Sequence, residues 1–222
     1  MDMLELMKKR HSVRQYIPAR LHEDDIADLQ AEVDACNVES GLNIQLVTNE
    51  PQAFKTIFGM YMKIKDISNY LVLIGDDTPE LEEKVGYYGE RLVLKCMELR
   101  LSTCWMSSNY KQIPGAFTIK DGERLVLVIA LGYGKVDGFD HDSRDIDEVS
   151  NVDENSPDWF VQGVEAALLA PTARNQQKFY FELLDGNKVK ATAKSGYYTN
   201  VDLGIAKYHF EVIAGKENFT WA

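Results

Sequence analysis

Apolar positions at Met3, Leu4, Leu6 and Met7 predict a short helix over residues 2–10. Pro18 closes the extended piece that follows. His22-Glu23-Asp24-Asp25 then opens a helix with acids in its first turn, and Ile26, Leu29, Val33 and Cys36 form its apolar stripe. Ile44–Val47 reads as a short strand and Tyr70–Gly75 as a strand buried on both faces. Residues 51–66, rich in Phe, Met and Tyr, read as a helix or irregular insert. After Gly86-Tyr87-Tyr88-Gly89-Glu90, apolar residues from Leu92 to Leu101 occupy more than one face, predicting a central helix buried on most sides. Ser102–Asn109 reads as a small polar loop around Trp105, and Arg124–Gly134 as the clearest strand of the chain.

The pattern changes after that strand. Residues 137–156 are acidic and polar and predict a surface connection. Ser156-Pro157 marks a helix start, and Trp159, Val161, Val164, Ala167, Leu168 and Leu169 give its stripe. Lys178–Leu184, the turn Asp185-Gly186-Asn187 and Lys188–Ala193 predict a hairpin, and Val201 to Ile213 a last helix ending at Gly215. Gly86-Tyr87-Tyr88 precedes one long helix and Gly196-Tyr197-Tyr198 the other, a faint repeat suggesting two similar halves. The division lies near residue 150: residues 1–150 form one half and 151–222 a shorter second one, sharing a core.

Charge narrows the function classes. The chain carries 24 Lys+Arg against 35 Asp+Glu, a formal net charge of −11, which disfavours nucleic acid or an anionic membrane as partner. No apolar run reaches the roughly 20 residues of a spanning helix, and no apolar leader is visible. Cys36, Cys96 and Cys104 form no CxxC or Cys/His spacing, and the histidines at 11, 22, 141 and 209 are scattered, so no metal site is suggested. A reducing cytoplasm is the expected compartment. Against the acidic background, Met7 to Tyr16 concentrates Lys8, Lys9, Arg10, His11, Ser12 and Arg14. In an extended segment Arg10, Ser12 and Arg14 share one side, and two guanidiniums with a hydroxyl suit a phosphate. A solvated basic arm is the competing reading of the same residues.

Four stretches together resemble the FMN-dependent nitroreductase family: Arg10-His11-Ser12-Val13-Arg14, Leu99 to Met106, Leu131-Gly132-Tyr133-Gly134-Lys135 with His141-Asp142-Ser143-Arg144, and Ala170 to Phe179. In the usual family order the last element follows soon after the first; here that place holds Cys36 to Asn43, and the good copy lies in the second half. This resembles the compact single-chain branch, the TM nitroreductases. The resemblance implies an α+β nitroreductase-like fold, an antiparallel or mixed sheet flanked by helices, with two halves forming an intramolecular pseudo-dimer. It also implies one FMN per chain, a monomer or weak homodimer, and NAD(P)H as transient electron donor. The implied activity passes electrons by a ping-pong mechanism to nitroaromatics, quinones or similar planar small-molecule acceptors. A flavin-binding sensor or carrier without turnover is the alternative.

By the same resemblance Arg10 and Ser12 bind the FMN phosphate, His11 contributes through its backbone, and Arg14 sits by the pyrimidine edge. Ser143 and Arg144 complete the phosphate grip, or Arg144 pairs with Asp142 or Asp145. Ser107 and Ser108 offer a backbone N–H to the flavin N5, where the family usually has glycine. Pro171, Thr172 and Asn175 approach the ribityl and dimethylbenzene side, while Gln177 serves either the motif or the fold. Catalysis needs no protein acid or base in this scheme, because the flavin carries the chemistry.

Overall fold

The computed structural model describes residues 2–56, 65–108, 110–136, 138–139 and 141–222. Its helices are α1 (Met3–Lys9), α2 (Glu23–Ser40), α3 (Leu81–Glu98), α4 (Ile146–Val149), α5 (Asp158–Leu168) and α6 (Thr199–Ala214). The strands are β1 (Gln45–Val47), β2 (Asn69–Asp76), β3 (Ser102–Met106), β4 (Glu123–Gly132), β5 (Phe179–Leu184), β6 (Lys188–Ala193) and β7 (Thr220–Trp221). They form two compact units. One comprises Arg10–Leu81 and Leu92–Asp140; the other comprises Met1–Lys9, Glu82–Arg91 and His141–Ala222. The spatial division interleaves along the chain, where the sequence reading draws one cut near residue 150. Among the described residues, no helix is long and apolar enough to cross a membrane.

The first unit is built on a four-stranded antiparallel sheet in the order β1-β2-β4-β3. β2 and β4 read as nearly unbroken apolar runs because both faces of the sheet are covered. Tyr70, Val72, Ile74, Val128 and Ala130 enter one apolar cluster with Cys104 and Met106. Leu71, Leu73, Ile129 and Leu131, on the alternate positions, are equally buried. Helix α2 ends at Gly41, whose φ of 74° supplies the left-handed cap and whose N–H donates to the Asn37 carbonyl.

Ser102–Met106 corrects the sequence reading. It is strand β3, paired from Ser102↔Gly132 to Met106↔Val128, and not a loop. Ser102 and Thr103 carry little apolar signal, so periodicity misses it; it is the edge strand, recruited by its partner β4. Asn109 of that predicted loop lies outside the described residues, as do residues 57–64 of the predicted 51–66 insert; residues 51–56 are irregular.

The second unit holds the mixed sheet β5-β6-β7, with β5 and β6 antiparallel and β6 and β7 parallel. Its core is aromatic. Phe181 stacks on Phe210 with centroids 4.9 Å apart, and Phe160 and Phe219 meet the Phe210 ring edge-on. Each such pair contributes roughly 0.5–1.5 kcal/mol beyond its buried area. The predicted hairpin and last helix are present; β7 and the short α4 are elements that the apolar pattern is too brief to announce. Asp145 and Glu148 close a capping box on α4.

The central helix also differs from the sequence reading. α3 begins at Leu81, so Gly86-Tyr87-Tyr88 lies inside it, whereas Gly196-Tyr197-Tyr198 precedes α6. Gly86 is there for contact: a Cβ on it would run into the Val201 carbonyl, and a Cβ on Gly204 into that of Glu83. The α3 and α6 backbones therefore touch. One turn on, Glu90 and His209 are both fully buried, with Nε2 and Oε1 3.0 Å apart. The other ring nitrogen lies 3.0 Å from the Ala166 carbonyl, which can only accept, so Nδ1 carries a hydrogen. Of α3, only Lys84 and Glu98 are exposed, as a helix apolar on several faces requires.

Candidate functional site

In the four-stranded unit the segment after α1 runs extended beside β3. Ser12 bridges Thr103 in parallel, and the Val13 N–H donates to the Thr103 carbonyl at 2.9 Å. Alternation then sorts the side chains. Val13 enters the core with 6% exposure, Ser12 is half-buried and Arg14 is exposed. Arg10 is buried to 6% exposure. The chain leaving β4 lies against this segment: a Cβ on Gly138 would overlap the His11 side chain, and one on Gly134 would meet Ser102 Oγ at 2.5 Å.

Cys104 shows that the predicted cationic residues share one neighbourhood. Its thiol donates to the Trp105 carbonyl at 3.6 Å, and lies within the fields of Arg14 and Arg10 and beside the Ser12 side chain. Burial outweighs all three and holds the thiol above its ordinary value, so it is protonated at neutral pH. The phenol of Tyr16, also pushed up by burial, donates to the Ala130 carbonyl at 3.4 Å. Two guanidiniums and a hydroxyl are a donor set suited to an oxyanion such as a phosphate. These residues therefore fit the phosphate end of FMN. Ser107 and Ser108 follow β3 directly and form a bend whose side chains are half-buried and exposed.

The other predicted residues gather separately in the three-stranded unit, around a loop after α5. Pro171 and Thr172 lead into a 3-10 turn, Ala173–Asn175, and Arg174, Asn175 and Gln177 have φ values of 56°, 54° and 44°. Three left-handed non-glycine residues so close together cost of order 1–3 kcal/mol each and persist only where their surroundings dictate them. Gln177 is what dictates them. Its side chain is 2% exposed. Its amide donates to the Asp142 carbonyl and to Asn175 Oδ1, at 2.8 and 2.9 Å. Its Oε1 accepts from the Arg144 N–H at 2.9 Å, and its own N–H donates to Thr172 Oγ1 at 3.0 Å. Asn175 Nδ2 donates to the same Asp142 carbonyl at 2.8 Å. Ser143 Oγ reaches the Leu168 carbonyl at 3.4 Å, and Arg144 pairs with Glu148 at 2.9 Å.

Asp202, at the start of α6, is the second organiser. Its carboxylate accepts from the Ala173 N–H at 2.9 Å and from Gln176 Nε2 at 2.8 Å. Burial nonetheless wins, pushing its pKa up from 3.8 to about 6. Neither Gln177 nor Asp202 belongs to the set predicted from sequence. Gln177 stands within the quoted motif but its burial is invisible there. The signal for Asp202 is an acid, one of two with Glu211, in a mostly apolar helix.

Residues 2–214 match the family described as "Putative TM nitroreductase". Among solved structures, the chain is similar to a "putative nitroreductase" from Thermotoga maritima, with a TM-score of 0.65, 23% identity, and 96% of this chain and 83% of that one covered. A "putative nitroreductase in complex with FMN" from Desulfovibrio desulfuricans gives a TM-score of 0.54 at 12% identity over 71% of this chain and 99% of that one. An FMN-dependent nitroreductase from Clostridium difficile gives 0.50 at 16% identity over 68% and 98%. No functionally curated protein matches. These identities carry the fold alone, an α+β nitroreductase-like architecture; the match across residues 2–214 carries more, and by it the chain belongs to the TM nitroreductase family.

Proposed function

We propose that this chain is an FMN-dependent oxidoreductase that takes electrons from NAD(P)H and passes them, by a ping-pong mechanism, to nitroaromatics, quinones or similar planar acceptors. The observation that carries the reading is the donor set of Arg10, Ser12 and Arg14, held against the sheet by Val13 and β3. Bound FMN supplies the two-electron chemistry. Arg10 and Ser12 bind its phosphate with charge-assisted hydrogen bonds, and the backbone at His11 assists. Arg14 places a cation beside the pyrimidine edge, stabilising negative charge on the reduced ring. Ser107 and Ser108 contribute backbone N–H groups. The same reading assigns Pro171, Thr172 and Asn175 to the ribityl and dimethylbenzene side, and Ser143 and Arg144 to the phosphate.

The pseudo-dimer of residues 1–150 and 151–222, one FMN per chain, and a monomer or weak homodimer belong to the same proposal. So does a cytoplasmic location, which the three buried, free cysteines support. Purified protein is expected to be yellow, to release FMN on denaturation and to bleach with NADPH or NADH under argon. Protein that stays colourless after incubation with FMN refutes the reading. Arg10→Ala loses FMN, whereas Arg14→Ala keeps it at a shifted reduction potential. Sedimentation showing an obligate dimer with two FMN defeats the pseudo-dimer.

A further inference from the structure

The four-stranded unit contains a cleft of about 590 Å³, within the 300–1,000 Å³ typical of small-molecule sites. Arg20, Lys55, Lys65 and Asp66 are among the residues lining it, a local charge of +2 in a chain of −11. Arg20, Lys55 and Lys65 are exposed, and among the described residues none of them makes an ion pair. The apolar wall includes Phe54, which is 6% exposed and fixed edge-on against Tyr70 at 5.4 Å. Two lining residues, Asn49 and Asp66, hold left-handed φ values of 56° and 60°, a backbone state that clusters at ligand clamps. The cleft adjoins the segment carrying Arg14. The Lys65 N–H donates to the Arg14 carbonyl at 3.1 Å, and the Tyr16 N–H to the Lys65 carbonyl at 3.2 Å.

We propose that this cleft binds the anionic group of an aromatic electron acceptor, so that the preferred substrates are planar rings bearing a carboxylate or sulfonate. The assignment as acceptor rests on the flavin reading above; the binding itself does not. An aromatic ring gains contact with Phe54, and the unpaired cations supply the attraction that a neutral ring lacks. Because the cations are solvent-exposed, the discrimination is modest and salt-sensitive.

The test is isothermal titration calorimetry on the protein as purified, with no electron donor present. The probes are 4-nitrobenzoate and 4-nitrobenzyl alcohol, which share a ring and differ in charge. The acid is expected to bind about fivefold to tenfold more tightly, less so at high ionic strength. The double substitution Arg20→Gln, Lys55→Gln removes the preference; both residues are exposed, and circular dichroism checks the fold. Equal affinities, or a preference that the double variant retains, overturn the proposal. So does a preference for NADP+ over NAD+ with none for 4-nitrobenzoate, which assigns the cations to a dinucleotide phosphate. Yellow protein without discrimination defeats the cleft alone. Colourless protein that discriminates defeats the acceptor role and leaves the anion site.

Discussion

The buried pair Glu90–His209 supports a quantitative prediction. Both side chains are fully buried, 3.0 Å apart, and the histidine also serves the Ala166 carbonyl. His209→Leu keeps roughly the same volume but takes the imidazole away from the buried Glu90 carboxyl and one of two donors away from the Ala166 carbonyl, which keeps the Leu169 N–H. Breaking a buried pair by removing one partner costs about 3–5 kcal/mol. Glu90→Leu, leaving the imidazole unanswered, belongs in the same range. Glu90→Gln is different, because its amide can donate to Nε2 while Nδ1 continues to serve Ala166, and its cost is about 1 kcal/mol or less. Removing both partners together loses the hydrogen bonds of the imidazole but leaves the Ala166 carbonyl with the Leu169 N–H, which donates to it at 3.0 Å, and costs about 1–3 kcal/mol. The double-leucine variant is therefore more stable than the sum of the singles predicts, by at least about 2 kcal/mol. Urea unfolding of the four variants followed by far-UV circular dichroism reads this directly. Single leucine substitutions that each cost less than about 1 kcal/mol, or leucine costs that add within about 0.5 kcal/mol, refute the reasoning.

Other positions give sharper or simpler tests. Asp202 holds its proton more tightly folded than unfolded, so its contribution to stability is present below about pH 4 and is lost as pH rises through about 6. A difference of about two pKa units corresponds to about 3 kcal/mol, and Asp202→Asn should flatten the stability profile across that window; an unchanged profile argues against it. Gly204→Ala forces α3 and α6 apart and should cost about 1–3 kcal/mol or more in thermal or chemical unfolding, whereas a neutral result contradicts the backbone contact. Burial pushes the Cys96 thiol up to about 12 and raises Cys104. Native protein should thus show no fast-reacting thiol toward a disulfide reagent, and all three cysteines should react after denaturation; one rapid equivalent in the native state disproves this.

Elements with a strong period were legible in the sequence. β2, β4, α5, the β5–β6 hairpin and α6 all declare themselves by apolar spacing and by Gly, Pro or Asn at their ends. β3 was not legible, because Ser102 and Thr103 carry little apolar signal and its strand character comes from pairing with β4. The start of α3 was hidden by Gly86 and Gly89, which read as breakers along the chain; packing overrides propensity at Gly86, where α6 approaches too closely for any side chain. At the candidate site, alternation alone places Arg10, Ser12 and Arg14 on one side of an extended segment; the structure buries Val13 but also Arg10, leaves Ser12 half-buried and exposes Arg14, differences that spacing does not foretell. The ordering of the second loop was not readable, since it depends on where Gln177 and Asp202 are buried, and burial of a polar residue is a tertiary fact.

The interleaving of the two units makes them unequal as fragments. Residues 10–140 include the whole of the four-stranded unit, with Glu82–Arg91 as an excursion from it, so truncation there removes none of its strands. The three-stranded unit has no such independence. A fragment from His141 to Ala222 lacks α1 and the half of α3 that bears Glu90, and it would expose His209 and Gly204 where a helix should lie. A continuous piece from residue 10 to residue 140 thus holds both stretches of the first unit but carries Glu82–Arg91 of the second with it, whereas the second is made of three stretches that only the complete chain supplies.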